Sequence, residues 1–147
     1  MPGTGIKVSY ITTADATFTS NVVPASVGLT SPIPALQTQH FKARVPISVG
    51  ATGGFRLVIV APAGATTKIC MLEVVNTVGP AETPTIPVIN VASTNALAAA
   101  GTHWLDIEGT ITNGAVAGNI DLQFAQNTSD VLTLTVLAGA FMDITKF

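Results

Sequence analysis

Thr, Val and Ile account for 49 of the 147 residues, so a third of the chain is β-branched. Such side chains are stiff about χ1, lose freedom in a helix and pack well on a pleated sheet. Nine prolines and thirteen glycines punctuate them. The pattern predicts an all-β protein. A chain of this length makes one domain. By the surface scaling of folded monomers it buries about two-thirds of its extended-chain surface, so it needs neither disulfide nor metal to fold.

Charge narrows the function. Only 10% of residues are charged, against about 25% in ordinary soluble domains, while 48% are hydrophobic and the mean hydropathy is +0.55. Disorder is ruled out on that balance. Six basic and eight acidic residues give a net charge of −2 with no run of either sign, which leaves no footprint for a phosphate backbone, and nucleic acid is not an expected partner. The longest apolar stretches, 57–63 and 96–100, fall short of the ~20 residues of a membrane-spanning helix, so no membrane partner is expected either. Residues 1–7 lack the basic start, apolar stretch and cleavage site of a secretory signal, and synthesis in the cytoplasm without export is the expectation. Cys70, the only cysteine, lies between Ile69 and Met71 and reads as a small buried hydrophobe. A charge-poor, oily chain in water must hide apolar surface outside its own core. Further copies of the chain are the simplest cover, since obligate interfaces bury about 2,000–5,000 Å² and are the most apolar.

Along the chain, residues 1–37 carry short β-prone pieces at 6–12 and 17–23, then Pro24, Gly28, Pro32 and Pro34. Prolines lack the ladder donor and cannot all sit in central strands. The segment is expected to be an extended arm with edge strands, ordered by Ile6, Tyr10, Ile11, Phe18, Val22 and Val23. The body runs over 38–147. Phe41, Ala43, Val45, Ile47 and Val49 fall at period two, the mark of a half-buried strand, with Pro46 marking a bulge or edge. Residues 55–61 are apolar on nearly every position, which predicts a strand covered on both faces. A third strand is expected at 66–75. The excursion over 76–101 holds a short strand at 86–91 and an alanine-rich turn of helix at 95–100. Strands resume at 102–112, 119–126, 130–137 and 141–147, with Ile120, Leu122 and Phe124 on one face and Leu132, Leu134 and Val136 on another. Hairpin geometry accounts for the glycines of 50–54 and for Asn113-Gly114. About eight to ten antiparallel strands so spaced suit a jelly-roll β-sandwich.

Chemistry finds little purchase. His40 and His103 are the only histidines, too few nitrogen ligands for a jelly-roll metalloenzyme. No serine sits in an activating turn such as Gly-x-Ser-x-Gly. No enzyme activity, metal or other cofactor is expected. Asp106 and Glu108 fall on one side of a strand, about 7 Å apart by the strand rise, a spacing that suits acid–base work or a bound ion. The ordinary reading is a polar face opposite Leu105, Ile107 and Ile111. Asp121 and Asp130 are further carboxylates with no motif behind them. Asn127-Thr128-Ser129 fits a glycosylation sequon and reads as a turn. Trp104, the only tryptophan, reads as core or subunit contact.

Three phrases carry a resemblance: Gly101-Thr102 with Glu108-Gly109, Leu122-Gln123-Phe124-Ala125, and Ala138-Gly139-Ala140-Phe141. They resemble strands of tailed-bacteriophage virion modules that read aGT-x5-EG, L-x-L-Q-x-A and A-G-S-x-L-x-V-T, and the segments 40–51 and 55–60 look like the matching upstream strands. The resemblance covers about residues 38–147. Such modules are similar to the tumour-necrosis-factor-like jelly roll, which assembles as a trimer, and occur as head decoration (cement) proteins and as tail-fibre domains. The resemblance implies a homotrimer on the outer surface of a virion, with the major capsid protein as partner and the arm bridging capsomers. It favours decoration because the chain starts at Met1 with no shaft. The alternative it leaves is a receptor- or glycan-binding module of a tail fibre or spike. Val58, Val60, Trp104, Phe124 and Phe141 are the expected trimer contacts. Ile6, Tyr10, Ile11 and Phe18 are the expected contacts of the arm with the capsid.

Overall fold

The computed structural model describes residues 7–50, 54–76, 87–95 and 100–147. All regular structure among them is β. The strands are β1 (Lys7–Ile11), β2 (Ala16–Phe18), β3 (Ala25–Ile33), β4 (Thr38–Val49), β5 (Phe55–Val60), β6 (Thr66–Asn76), β7 (Ser93–Asn95), β8 (Gly101–Thr112), β9 (Gly118–Gln126), β10 (Leu134–Val136) and β11 (Phe141–Lys146).

They form two antiparallel sheets. The smaller has the order β3-β9-β5-β7; the larger runs β1-β11-β4-β8-β6, with β10 and β2 continuing along β4 past the start of β11. The pairs β1–β11, β3–β9, β4–β8 and β5–β7 are nested, outermost with outermost and innermost with innermost. One long hairpin rolled over itself produces that nesting, and β11–β4 and β9–β5 contacts complete each sheet. The expected jelly-roll sandwich is the observed fold, with β6 as an additional edge strand on β8.

Alternation supplies the core. Phe41, Ala43, Val45 and Ile47 on β4 and Leu105, Ile107 and Ile111 on β8 point inward from the larger sheet. Phe55, Leu57 and Ile59 on β5 and Ile120, Leu122 and Phe124 on β9 meet them from the smaller. Each Val, Leu, Ile or Phe among them contributes about 1.5–3 kcal/mol on burial.

Several expectations change. Residues 7–33 are not an arm apart from the body: β1 pairs with β11, β2 with β10 and β3 with β9, so the division at residue 37 falls inside the sandwich. Pro32 is tolerated because β3 is an edge strand. Pro46 lies in a central strand, bulge-free, paired with Trp104 on one side. On its other side β11 hands over to β10, and the Pro46 carbonyl accepts Leu137 N–H there (2.9 Å). The missing N–H of Pro46 points to the same seam, where no ladder donor is required. The connection at 113–117 is a crossover between sheets rather than a hairpin, since β8 and β9 lie in opposite sheets; β4 and β5 do too, so they are not a hairpin pair, and residues 51–53 between them lie outside the described residues. Ile86 and the alanine-rich stretch 96–99 lie outside the described residues. Residues 88–91 are a turn closed by Val91 N–H to Val88 C=O, and the short strand is β7 instead. Leu132 is 49% exposed rather than aligned with buried Leu134 and Val136. Its N–H is held by Asp130 Oδ1 in the turn before β10. Gly50 is required beneath it, because a Cβ there would collide with the Leu132 side chain.

One end of the sandwich, the Thr38 end, is tied by a buried amide. The Asn113 side chain is 3% exposed. Its Nδ2 donates to Val116 C=O (2.8 Å), Pro34 C=O (2.9 Å) and, at 3.3 Å, Ile33 C=O, while Oδ1 accepts Gly114 N–H. Asn113 N–H donates to Gln37 C=O and Leu36 N–H to Gly114 C=O. The crossover after β3 and the crossover after β8 are thereby pinned to each other.

Candidate interaction surface

The outer face of the larger sheet is a ladder of ion pairs. Cross-strand register sets Arg44 opposite Asp106, and Lys42 between Asp143 and Glu108. Arg44 Nε lies 3.0 Å from Asp106 Oδ1, His40 Nε2 2.9 Å from Glu108 Oε1, Lys42 Nζ 3.9 Å from Glu108 Oε2, and Lys7 Nζ 2.8 Å from Asp143 Oδ2. Asp106 and Glu108 do share a face, but each already faces a basic side chain of β4, the ordinary structural reading. Asp121 lies on the opposite outer face, so it does not join them. His40 pairs in register with Thr110 and His103 with Ile47, towards different ends of β4 and β8. Cys70 sits on β6 opposite Gly109, with its side chain outside the described residues.

The Lys7 ammonium first, and then the Ser9 hydroxyl, hold the Asp143 carboxyl below its ordinary value of 3.8. Folding therefore favours the ionised form. The interaction stabilises the protein above the unfolded value and is lost as pH falls through the lower, folded one. Denaturant midpoints taken from about pH 6 to about pH 2 are expected to show wild type and Asp143→Asn converging below ordinary carboxylate pKa values. A gap that persists unchanged into acid refutes the assignment.

The expected contact residues divide among three places. Trp104, 36% exposed, lies on the outer face of the larger sheet with the Arg44 guanidinium 5.4 Å from its ring centroid. Phe141 is opposite Arg44 and Ile11, and Ile11 is 66% exposed. Ile11, Phe141 and Trp104 thus share an apolar corner around Arg44. Val58 and Val60 belong to the other outer face, across a sandwich about 10 Å thick. Phe124 lies between the sheets at 0% exposure, its ring 6.3 Å from that of Phe55. Of the residues assigned to the arm, Ile6 is outside the described residues and Phe18 is in the core. Tyr10 packs against the core, its hydroxyl accepting from Ser31.

The outer face of the smaller sheet is nearly neutral, and it holds what the sequence reading missed. On β9 the residues turned to this face are Asn119, Asp121, Gln123 and Ala125, and β5 adds Arg56, Val58 and Val60 across from them; of these Ala125 and Val58 are buried. An irregularity of β3 between Ser26 and Thr30 brings two hydroxyls to one carboxylate. Asp121 Oδ1 accepts from Ser26 (2.7 Å) and Thr30 (2.6 Å), and Oδ2 from Gln123 Nε2 (3.1 Å). No cation pairs with Asp121 among the described residues. Beside it opens a groove of about 450 Å³ walled by Val60, Pro62, Ala63, Val116 and Ala117. The signal in the sequence was the polar alternation Asn119, Asp121, Gln123; the groove depends on crossovers that alternation does not reveal.

No family model matches this chain, and no curated protein matches it. Among solved structures it is similar to a chain in a structure of infectious bursal disease virus Gt strain, with a TM-score of 0.26 and 8% identity, covering 98% of this chain and 38% of that one. A chain in a structure of the Gx strain of that virus gives a TM-score of 0.25 and 6% identity, covering 96% and 35%. The protein spans little more than a third of the length of either.

Proposed function

We propose that this chain is a structural subunit of a virion: a jelly-roll module that assembles with copies of itself, as a trimer, and decorates the outer surface of a capsid. The carrying observation is the contrast between a charge-poor chain and its exposed apolar side chains. Ile11, Val23, Leu36, Val116, Val131 and Phe147 are each more than half exposed on a sandwich whose core is already filled. A protein with 10% charged residues loses least by covering such side chains with sister copies and a capsid. The jelly roll agrees with what the sequence resemblance implies, and the ion pairs of the larger sheet are structural rather than catalytic in this reading. Of the described residues expected to meet the capsid, exposed Ile11 keeps that role, while Tyr10 and Phe18 pack inward and the sandwich ends supply the remaining contacts. Linked contacts from several copies multiply modest individual affinities.

Light scattering at micromolar concentration is expected to give three times the chain mass, and co-sedimentation with capsids of the encoding virus to give saturable binding. A stable monomer overturns the proposal. The glycan-binding alternative has Trp104 as its platform, and Arg44 already occupies one side of that ring.

A further inference from the structure

We infer that Lys68 of one copy seats in the Asp121 groove of the next, a head-to-tail contact that closes the assembly into a ring. The inference rests on the self-assembly reading above and names the contact that reading lacks. A cyclic assembly of more than two copies needs two different patches on each subunit, one offered and one received. The receiving patch is a carboxylate oriented by Ser26, Thr30 and Gln123, unpaired by any cation among the described residues, at the side of an apolar groove. Its chemistry asks for a cation on an aliphatic stem: the head pairs with Asp121 while the methylenes lie on Val60, Pro62 and Val116.

The chain owns few candidates to fill it. Lys7, Lys42 and Arg44 are committed to the ladder of the larger sheet, and Arg56 Nη1 donates to Val22 C=O. Lys146 is half-buried at the end of β11. Lys68 is exposed, carries no ion pair among the described residues, and occupies a bulge of β6 between the pairs Thr67–Ile111 and Ile69–Thr110. Among the described residues no strand pairs with the outer edge of β6. A bulge turns an extra side chain away from the ladder of an edge strand, and here that side chain is a lysine.

Level decides whether the two patches can meet around a closed ring. Lys68 lies close to the Thr66–Thr112 pair that ends the larger sheet on the Thr38 side. Asp121 pairs with Val60, the last residue of β5, near the same end of the smaller sheet. A rotation axis along the strands keeps height constant, so the β6 edge of one copy meets the smaller-sheet face of its neighbour without offset, and the ring closes instead of climbing into a filament.

The test is a double-mutant cycle on the full chain, read as the dissociation constant of the assembly by analytical ultracentrifugation, with circular dichroism to verify folding. Lys68→Glu and Asp121→Asn are each expected to weaken assembly at least tenfold, and the two together no more than the worse single change. Lys68→Arg should assemble nearly as wild type. An oligomer indifferent to Lys68→Glu, or effects of the two changes that simply add, overturns the contact and leaves self-assembly standing. A wild-type chain that stays monomeric overturns both. Should Asp121→Asn fail to fold, the comparison of Lys68→Glu with Lys68→Arg carries the test, since neither change touches the hydrogen bonds of the Asp121 carboxylate. If those two variants assemble alike, the contact is refuted.

Discussion

Asn113→Asp is expected to lower the free energy of unfolding by about 3–5 kcal/mol, although it exchanges only one side-chain NH₂ for an oxygen. The Asn113 amide nitrogen faces the carbonyls of Val116, Pro34 and Ile33 in a site almost closed to water. An ionised carboxylate has no proton to donate, so the change turns a donor facing three acceptors into a fourth acceptor, with a buried charge added. Asn113→Ala loses the same donors without the charge, and about 1–3 kcal/mol is expected. The order is therefore distinctive: the near-isosteric variant should be worse than the truncated one. Acid reverses part of the loss, because the introduced carboxyl regains one donor once it is protonated. Urea midpoints of wild type and both variants, taken near neutrality and again in acid, test this. An aspartate variant as stable as the wild type would remove Asn113 from its place as the tie between the two crossovers.

Asn113 also shows what alternation conveys and what it leaves silent. The pattern Phe41, Ala43, Val45, Ile47, Val49 assigns one face of β4 to the core, and all five are buried. The patterns of β9 and β11 likewise mark their inward faces. Period two says which side of a strand is dry. It does not say which strand lies alongside. Asn113-Gly114 looks like a hairpin turn because the same small, polar residues serve any sharp reversal, and only the pairing of β8 with β4, and of β9 with β3 and β5, makes it a crossover. The expectation of a separate arm fails for a related reason. Pro32 and the glycine-containing stretch of β3 look hostile to a sheet, but they are tolerated on an edge strand with a bulge, and Val27, Leu29 and Ile33 still reach the core.

The candidate surface was less legible than the fold, because hydrophobicity alone marks core and interface alike. Trp104 and Phe141 do come together on the outer face of the larger sheet, while Val58 and Val60 lie on the other. The Asp121 groove is assembled from β3, β9 and two crossovers, and no local window of sequence contains all of it. Even so, one ingredient was visible: Lys68 and Asp121 are charges on strands otherwise nearly free of them, and in a chain this poor in charge each one without an ion pair among the described residues asks for a reason.

Phe124 separates the two roles that hydrophobicity confuses. Phe124→Ala is expected to cost about 3–5 kcal/mol in unfolding free energy, since it removes a ring from a closed core and leaves a cavity that the surrounding sheets fill only in part. Phe55 faces that ring, and Leu57 and Ala25 flank it in register. A residue of the subunit interface behaves otherwise: its truncation raises the dissociation constant of the assembly and leaves the isolated subunit about as stable as before. Val60→Ala, at the wall of the groove, is the matching case, with a stability change within about 0.5 kcal/mol expected of a surface position and a weaker assembly. Denaturation curves at several protein concentrations distinguish the two. For Phe124→Ala the destabilisation should persist at dilutions where every subunit is already separate, because the lost contacts lie within one chain. If it vanishes on dilution, Phe124 is an interface residue after all, and the placement of the inner face of β9 against the larger sheet is wrong with it.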